Sequence, residues 1–423
     1  MKIKKEIEFE ILHSNKHRIY LLCGIVCVVV LMVTLIITTS KAKYRTTQSL
    51  PLINGTINYE LSDLNLIGAY IQEGEEYNQT NDIPSNGYEF NSEKSYCTVN
   101  GENINATINF DIETQTLSVV PLTKKGTKCY LYFDEKASGS EYILASPNAP
   151  TGTTTDWTGQ TTYYYTGKPN NWVQFGTNSS GQPLYWRIIR INGDGSIRMI
   201  YQGTGFNTTG TRTQIGTSAF NSLSNNNMYV GYMYTSGQRQ GHDDPSTIKG
   251  ILDTWYQNNL ADEADYIDGN AGFCGDRRVS SGTGTGTSRT YYQPYTRMSN
   301  SSPSLSCETP DIYTTSGSST GNGALTYPIG LISADEAMYA GIPWGVSNTN
   351  NYLYTGQYYW TMSPYYFYGS STNVFVVYDD SSLYYGFVGW TDYGVRPVIN
   401  LRSDVPIAGS GTTSDPFKVV GAS

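Results

Sequence analysis

The sequence predicts an α+β protein: a C-terminal domain mixing strands with two helices, a small all-β domain before it, and one N-terminal transmembrane helix. Three observations carry this reading. Ile19 to Ile37 runs without a single charge. Short runs of β-branched and aromatic residues alternate with period two across 104–133 and 185–201. Two other stretches, 245–260 and 333–339, carry helical spacing or helix caps instead. With 423 residues, 38% of them apolar, the chain has material for more than one core.

Residues 1–18 read as a cytoplasmic tail and 19–39 as a transmembrane signal-anchor. At 1.5 Å per residue the uncharged run spans roughly 28 Å, enough for the hydrocarbon core of a bilayer. A cleaved signal peptide is the rival, because Ser40-Lys41-Ala42 resembles a small-x-small site, but the apolar run is long for one and Lys41 is unfavourable inside the site. Lys2, Lys4, Lys5, Lys16 and Arg18 precede the run, against Lys41, Lys43 and Arg45 after it. That bias places the N-terminus inside and the C-terminal domains outside the cell membrane in a single pass.

Residues 46–140 follow as a small β-sandwich-like domain. Its strands are expected at Ile104–Phe110, Thr116–Val120 and Lys128–Phe133. A turn-rich stretch, 141–155, reads as a linker. Within 156–421, Tyr185–Ile191 and Ser196–Tyr201 flank Asn192-Gly193-Asp194-Gly195, a hairpin signal. Ile248, Ile251, Leu252, Trp255 and Tyr256 recur at helical intervals. Ser333-Ala334-Asp335-Glu336 is a capping-box pattern, and Gly341 closes that helix. Strands are expected again at 358–362, 374–378 and 395–401.

Four cysteines lie beyond the apolar run, an even number in a compartment where disulfides persist. Of three possible connectivities the sequential one, Cys97–Cys129 and Cys274–Cys307, is favoured because each pair falls within its own block. No CxxC occurs, so a metal is not expected. A formal charge of −9 argues against nucleic acid as a partner, since replacing counterions on phosphates needs cations.

Three strings sharpen the C-terminal domain: Gly330–Gly341 (GLISADEAMYAG), Tyr359–Pro364 (YWTMSP) and Tyr393–Leu401 (YGVRPVINL). Together they resemble the C-type-lectin-like fold, in its formylglycine-generating-enzyme-like branch, over 156–421 and most strongly over 325–401. That branch includes bacterial surface proteins and variable proteins diversified by retroelements. The apolar run and the 46–140 block resemble uncharacterised surface proteins of gut Firmicutes. Enzymes of the branch use a late pair of cysteines, whereas no cysteine follows Cys307 here, so the resemblance implies no catalysis and no cofactor. The Glu-Pro-Asn and Trp-Asn-Asp strings of calcium-dependent sugar binders are missing too. What the resemblance leaves is a displayed surface ahead of the last string.

Residues 365–393 fit that role by composition. They hold many Tyr with Ser, Gly, Asn and Asp, and no Lys, Glu, Gln or Met. Tyr offers large contact area and a hydroxyl at low rotamer cost. Alternation makes Phe375, Val377, Leu383 and Val388 core-facing anchors. It leaves Tyr365, Tyr366, Tyr368, Ser371, Asn373, Tyr378, Asp379, Tyr384, Tyr385 and Asp392 as ligand-binding candidates. Trp360 and Arg396 are assigned to the fold. The expected function is a membrane-anchored bacterial surface protein that binds an extracellular protein or glycan ligand without catalysis and meets the lipid bilayer through 19–39. Two alternatives accompany it: an extracytoplasmic enzyme pairing His242 with Asp243 or Asp244, and an envelope protein that self-associates through its tyrosines.

Overall fold

The computed structural model describes residues 64–422 apart from 74–75, 81–83, 85–87, 112–115, 121–125, 136 and 319. Two compact units emerge, one containing Leu64–Ile67 with Ser92–Leu131, the other comprising Gly68–Asn91 and Tyr132 onward.

The first unit is built of strands. Thr107–Asp111 and Thr116–Val120 pair as an antiparallel hairpin, with Ile108, Phe110 and Leu117 buried on alternate positions. The Cys97–Cys129 disulfide (S–S 2.06 Å) joins the long strand Tyr88–Val99 to Thr127–Glu135. The second unit opens with its own hairpin, in which Ala69 faces Thr80 and Glu73 faces Glu76. Residues 141–155, expected as a linker, contain most of the short helix Gly139–Ala145 and the strand Gly152–Thr155. Tyr142 Oη donates to the Gly409 carbonyl at 3.0 Å and Asn148 to the Ser410 carbonyl at 2.8 Å, so this stretch is fastened to the second unit.

Two sheets make the body of that unit. In the first, the neighbours run Val398–Leu401, Ile197–Gly203, Pro183–Ile191, Trp172–Thr177, Phe417–Val419, Ile407–Ala408. Its centre is the hairpin around Asn192–Gly195, where the Asn192 amide donates to the Ser196 carbonyl and Gly195 takes a φ of 81°. Every residue of Ile197–Gly203 is buried. In the second sheet, Tyr359–Tyr368 lies between Gly394–Val395 and Thr290–Tyr292, and it also pairs with Ser371–Val377, which pairs in turn with Leu383–Phe387. The helix Thr247–Asn259 buries Ile248, Leu252 and Tyr256, and Ser246 caps it by accepting from the Lys249 amide.

Two expectations are corrected. The described residues are mostly β, 39% strand against 15% helix, so the expected α+β class with a transmembrane helix is not supported. Strands such as Trp172–Thr177, Thr290–Tyr292 and Phe417–Val419 escaped because they are short or buried on both faces, which erases alternation. Among the described residues no helix is long and apolar enough to cross a membrane. The longest, Thr247–Asn259, has 13 residues, and a helix of that length rises only roughly 20 Å against about 30 Å of hydrocarbon. The single-pass placement with its signal-anchor is therefore unsupported by the structure; residues 1–18 and 19–39 lie outside the described residues.

Candidate functional site

The Tyr-rich segment folds as three antiparallel strands. Tyr359–Tyr368 turns at Gly369, whose φ of 65° favours glycine, into Ser371–Val377. Leu383–Phe387 follows, with Val376 opposite Tyr384 and Phe375 opposite Tyr385. Phe375, Val377, Leu383 and Val388 are all fully buried and fix the sheet to the core. Gly386 sits where a Cβ would come within 2.7 Å of the Tyr393 ring and 2.8 Å of Val376, so no larger residue fits there.

Around this anchor the rings form an unbroken band. Trp344 stacks on Tyr384 (centroids 5.2 Å, 9°), Tyr384 on Tyr385 (4.9 Å, 20°) and Tyr385 on Tyr365 (4.6 Å, 10°). Tyr366 meets Tyr385 edge-on at 5.4 Å and leads to Tyr291 at 5.8 Å. There Arg289 lies over Tyr368 at 4.8 Å and donates to Tyr291 Oη at 2.9 Å. In the other direction Tyr384 leads to Tyr378, then Tyr358, then Tyr393 and Trp390. Rings stacked on one another cover their faces and leave their edges for contact. Such a surface reads hydrogen-bonding and edge contacts.

The band sits in an acidic setting at the Tyr358 end. Burial and then Asp379 and Asp380 push the Tyr358 phenol above its ordinary pKa. Burial and then the neighbouring Tyr358 and Tyr384 push the Tyr378 phenol up to about 12. Both phenols are therefore neutral donors at physiological pH.

The structure divides the residues expected to bind. Tyr368 and Tyr384 are exposed (57% and 37%), as are Asp379 and Asp392, while Tyr366, Ser371, Tyr378 and Tyr385 are half-buried. Tyr365 and Asn373 are corrected: they are 7% and 2% exposed. Tyr365 lies beneath the band, and the Asn373 side chain donates to Ser371 Oγ at 2.9 Å. Register shifts between Trp360 and Pro364 and between Pro364 and Tyr366 disturb alternation in the strand that carries Tyr365, whereas Asn373 shares the parity of the buried Phe375 and Val377 in a strand buried on both faces. Sequence reasoning missed Trp344, Tyr358, Tyr291, Arg289 and Trp390. Trp344, Tyr358, Tyr291 and Arg289 come from other segments and no local pattern marks them, whereas Trp390 lies within 365–393 itself. Trp360 and Arg396 are fully buried; Trp360 Nε1 donates to the Ser218 carbonyl, and Arg396 to the carbonyls of Tyr201 and Leu353.

No protein-family model, curated protein or solved structure matches this chain.

A second polar constellation lies in the interior. Glu336 accepts from Arg190 Nε at 2.9 Å, and its Oε1 lies 2.5 Å from Arg198 Nε. Burial pushes the Glu336 carboxyl up, but the Arg198 and Arg190 guanidiniums and the Ser333 amide together hold it below the usual Glu range. Arg297 grips Asp335 with two bonds (2.7 and 2.8 Å) and Asp276 with a third (2.7 Å). The Cys274–Cys307 disulfide closes the neighbouring loop. Trp157, Cys274, Asp276, Ser333, Asp335 and Glu336 line a cavity of about 10 Å³ here, space for one water rather than a substrate. His242, the other catalytic candidate, is half-buried with Nδ1 unbonded, beside the exposed Asp243 and Asp244. Among the described residues no three His, Cys, Asp or Glu side chains gather as a metal site.

Proposed function

We propose that the chain is a non-catalytic binding protein that takes an extracellular protein or glycan ligand on the aromatic band running from Tyr368 through Tyr384 and Tyr385 to Trp390. The observation that carries this is the continuous series of ring contacts set on fully buried anchors, with Tyr368, Tyr384 and Trp390 left exposed. Large, rigid, amphipathic side chains on a fixed support lose little entropy on binding, the economy used by antibody loops. Two disulfides suit an oxidising compartment.

The test pans the full-length chain against a random-peptide display library and a glycan array, beside a Tyr384→Ala/Tyr385→Ala variant. Ligands captured by the parent should be lost at least tenfold by the variant, with the two melting temperatures within a few degrees. Equal capture by both proteins, or no capture by the parent, would refute the reading.

A further inference from the structure

The band contains an open sheet edge. Leu383–Phe387 has one strand partner, Ser371–Val377, and among the described residues no strand follows on its other side. Its first residue is covered there: Leu383 donates to the Pro343 carbonyl at 2.8 Å and accepts from the Gly345 amide at 3.0 Å, forming a single parallel bridge with Trp344. Those two bonds fix the ladder's phase. In an antiparallel pair, residues two apart present their backbone groups to the same side. Since Leu383 turns its N–H and C=O outward, so do Tyr385 and Phe387. The Val388 amide donates inward to Thr372, as the phase requires. The Tyr385 carbonyl is reached by Tyr378 Oη at 3.2 Å and the Phe387 carbonyl by the Trp390 amide at 3.0 Å, which leaves the two amide N–H groups on the open side.

Proteins ordinarily defend such an edge with Lys, Pro, an inward charge or a covering segment. Leu383-Tyr384-Tyr385-Gly386-Phe387 has neither a charge nor a proline, and the covering segment stops after one residue. Aromatic rings crowd the edge instead. Tyr385 lies opposite Phe375 and meets Tyr365 on one face. The Tyr384 ring stacks on Tyr385 at 4.9 Å and also meets Tyr378, so these rings gather into one cluster at the edge.

We infer that the ligand of this site is an extended polypeptide segment that adds as a strand beside Leu383–Phe387, continuing the line begun by Pro343–Gly345, with side chains meeting the joined rings of Tyr384 and Tyr385. This rests on the binding reading above and narrows it, because a glycan has no amide ladder to offer an N–H row. Main-chain bonds supply affinity in this mode and the flanking rings supply choice of side chain.

The experiment uses the full chain and a synthetic peptide of alternating Thr and Val with Lys at each end, beside a copy N-methylated at alternate residues. In the free protein the Tyr385 and Phe387 amides should exchange with solvent at least a hundredfold faster than those of Tyr384 and Gly386. Millimolar peptide should slow them tenfold or more, and the N-methylated copy should not. Phe387→Pro removes an outward N–H while sparing the inner ladder. It should fold and lose the effect, whereas Phe387→Ala should keep it. Protection of both amides in the free chain, equal action of the N-methylated peptide, or no slowing by either peptide overturns the inference. If Tyr384→Ala/Tyr385→Ala still abolishes capture in the display experiment while these amides ignore peptides, the binding reading stands and only strand addition falls. Edge-to-edge pairing of two copies would appear as amide protection that rises with protein concentration, and it too overturns the inference.

Discussion

The aromatic band and the ion-paired cluster around Glu336 lie in one unit and follow opposite rules. Around Glu336 three arginines and three carboxylates are buried or nearly so, and each carboxylate meets at least one guanidinium. Along the band the rings of Tyr368 and Tyr384 stand at the surface. The contrast separates two uses of polar chemistry. A buried charge network is expensive to disturb and fixes how Ser333–Tyr339 meets the sheet, whereas a supported ring surface can spare its groups for a partner.

The widest separation should come from Glu336→Gln. Gln keeps the helix-capping geometry but leaves Arg190 and Arg198 buried without their counter-charge. A loss of about 3–5 kcal/mol is expected in denaturant unfolding. Any ligand captured by the band should still bind at a temperature where the variant remains folded. The same group sets an acid limit. Its folded pKa lies below the unfolded value, so the stabilisation is present above the unfolded Glu range and is lost as pH falls through the folded pKa. Acid unfolding of the parent should show a component that Glu336→Gln lacks.

The band should instead fail in alkali. The phenol of Tyr378 is pushed up to about 12, and Tyr366 is raised by burial and then by Tyr385. An unfolded tyrosine ionises near pH 10. Above that value the unfolded state releases protons that the folded band retains, so stability falls as pH rises. Melting temperatures between pH 8 and 11 should drop, with a shallower slope for Tyr378→Phe.

The smallest stability effect is expected for Tyr384→Ala. Its ring is stacked but 37% exposed, so the loss should stay within about 1 kcal/mol by thermal unfolding. A loss as large as that of Glu336→Gln would erase the distinction between the two regions.

Much of the local structure was legible. Asn192–Gly195 marked its hairpin because two strands facing apolar surroundings need a tight turn with positive φ, and Ser333 with Glu336 marked a helix start through reciprocal capping. The anchors Phe375, Val377, Leu383 and Val388 followed from alternation where the ladder is regular. Alternation failed at Tyr365, beside the register shifts around Pro364, and gave no guide at Asn373, whose strand is buried on both faces. The mostly β character escaped as well, because strands of two or three residues acquire their conformation from neighbours rather than from their own pattern.

By itself the sequence determined where helices begin, where the chain turns and how densely aromatic residues are placed, since those depend on neighbours a few residues away. The tertiary structure alone decided that Trp344, Tyr291 and Tyr358 join the rings of 365–393, and that Leu383–Phe387 ends a sheet with two amides unclaimed. These follow from long-range strand pairing, which no local window encodes.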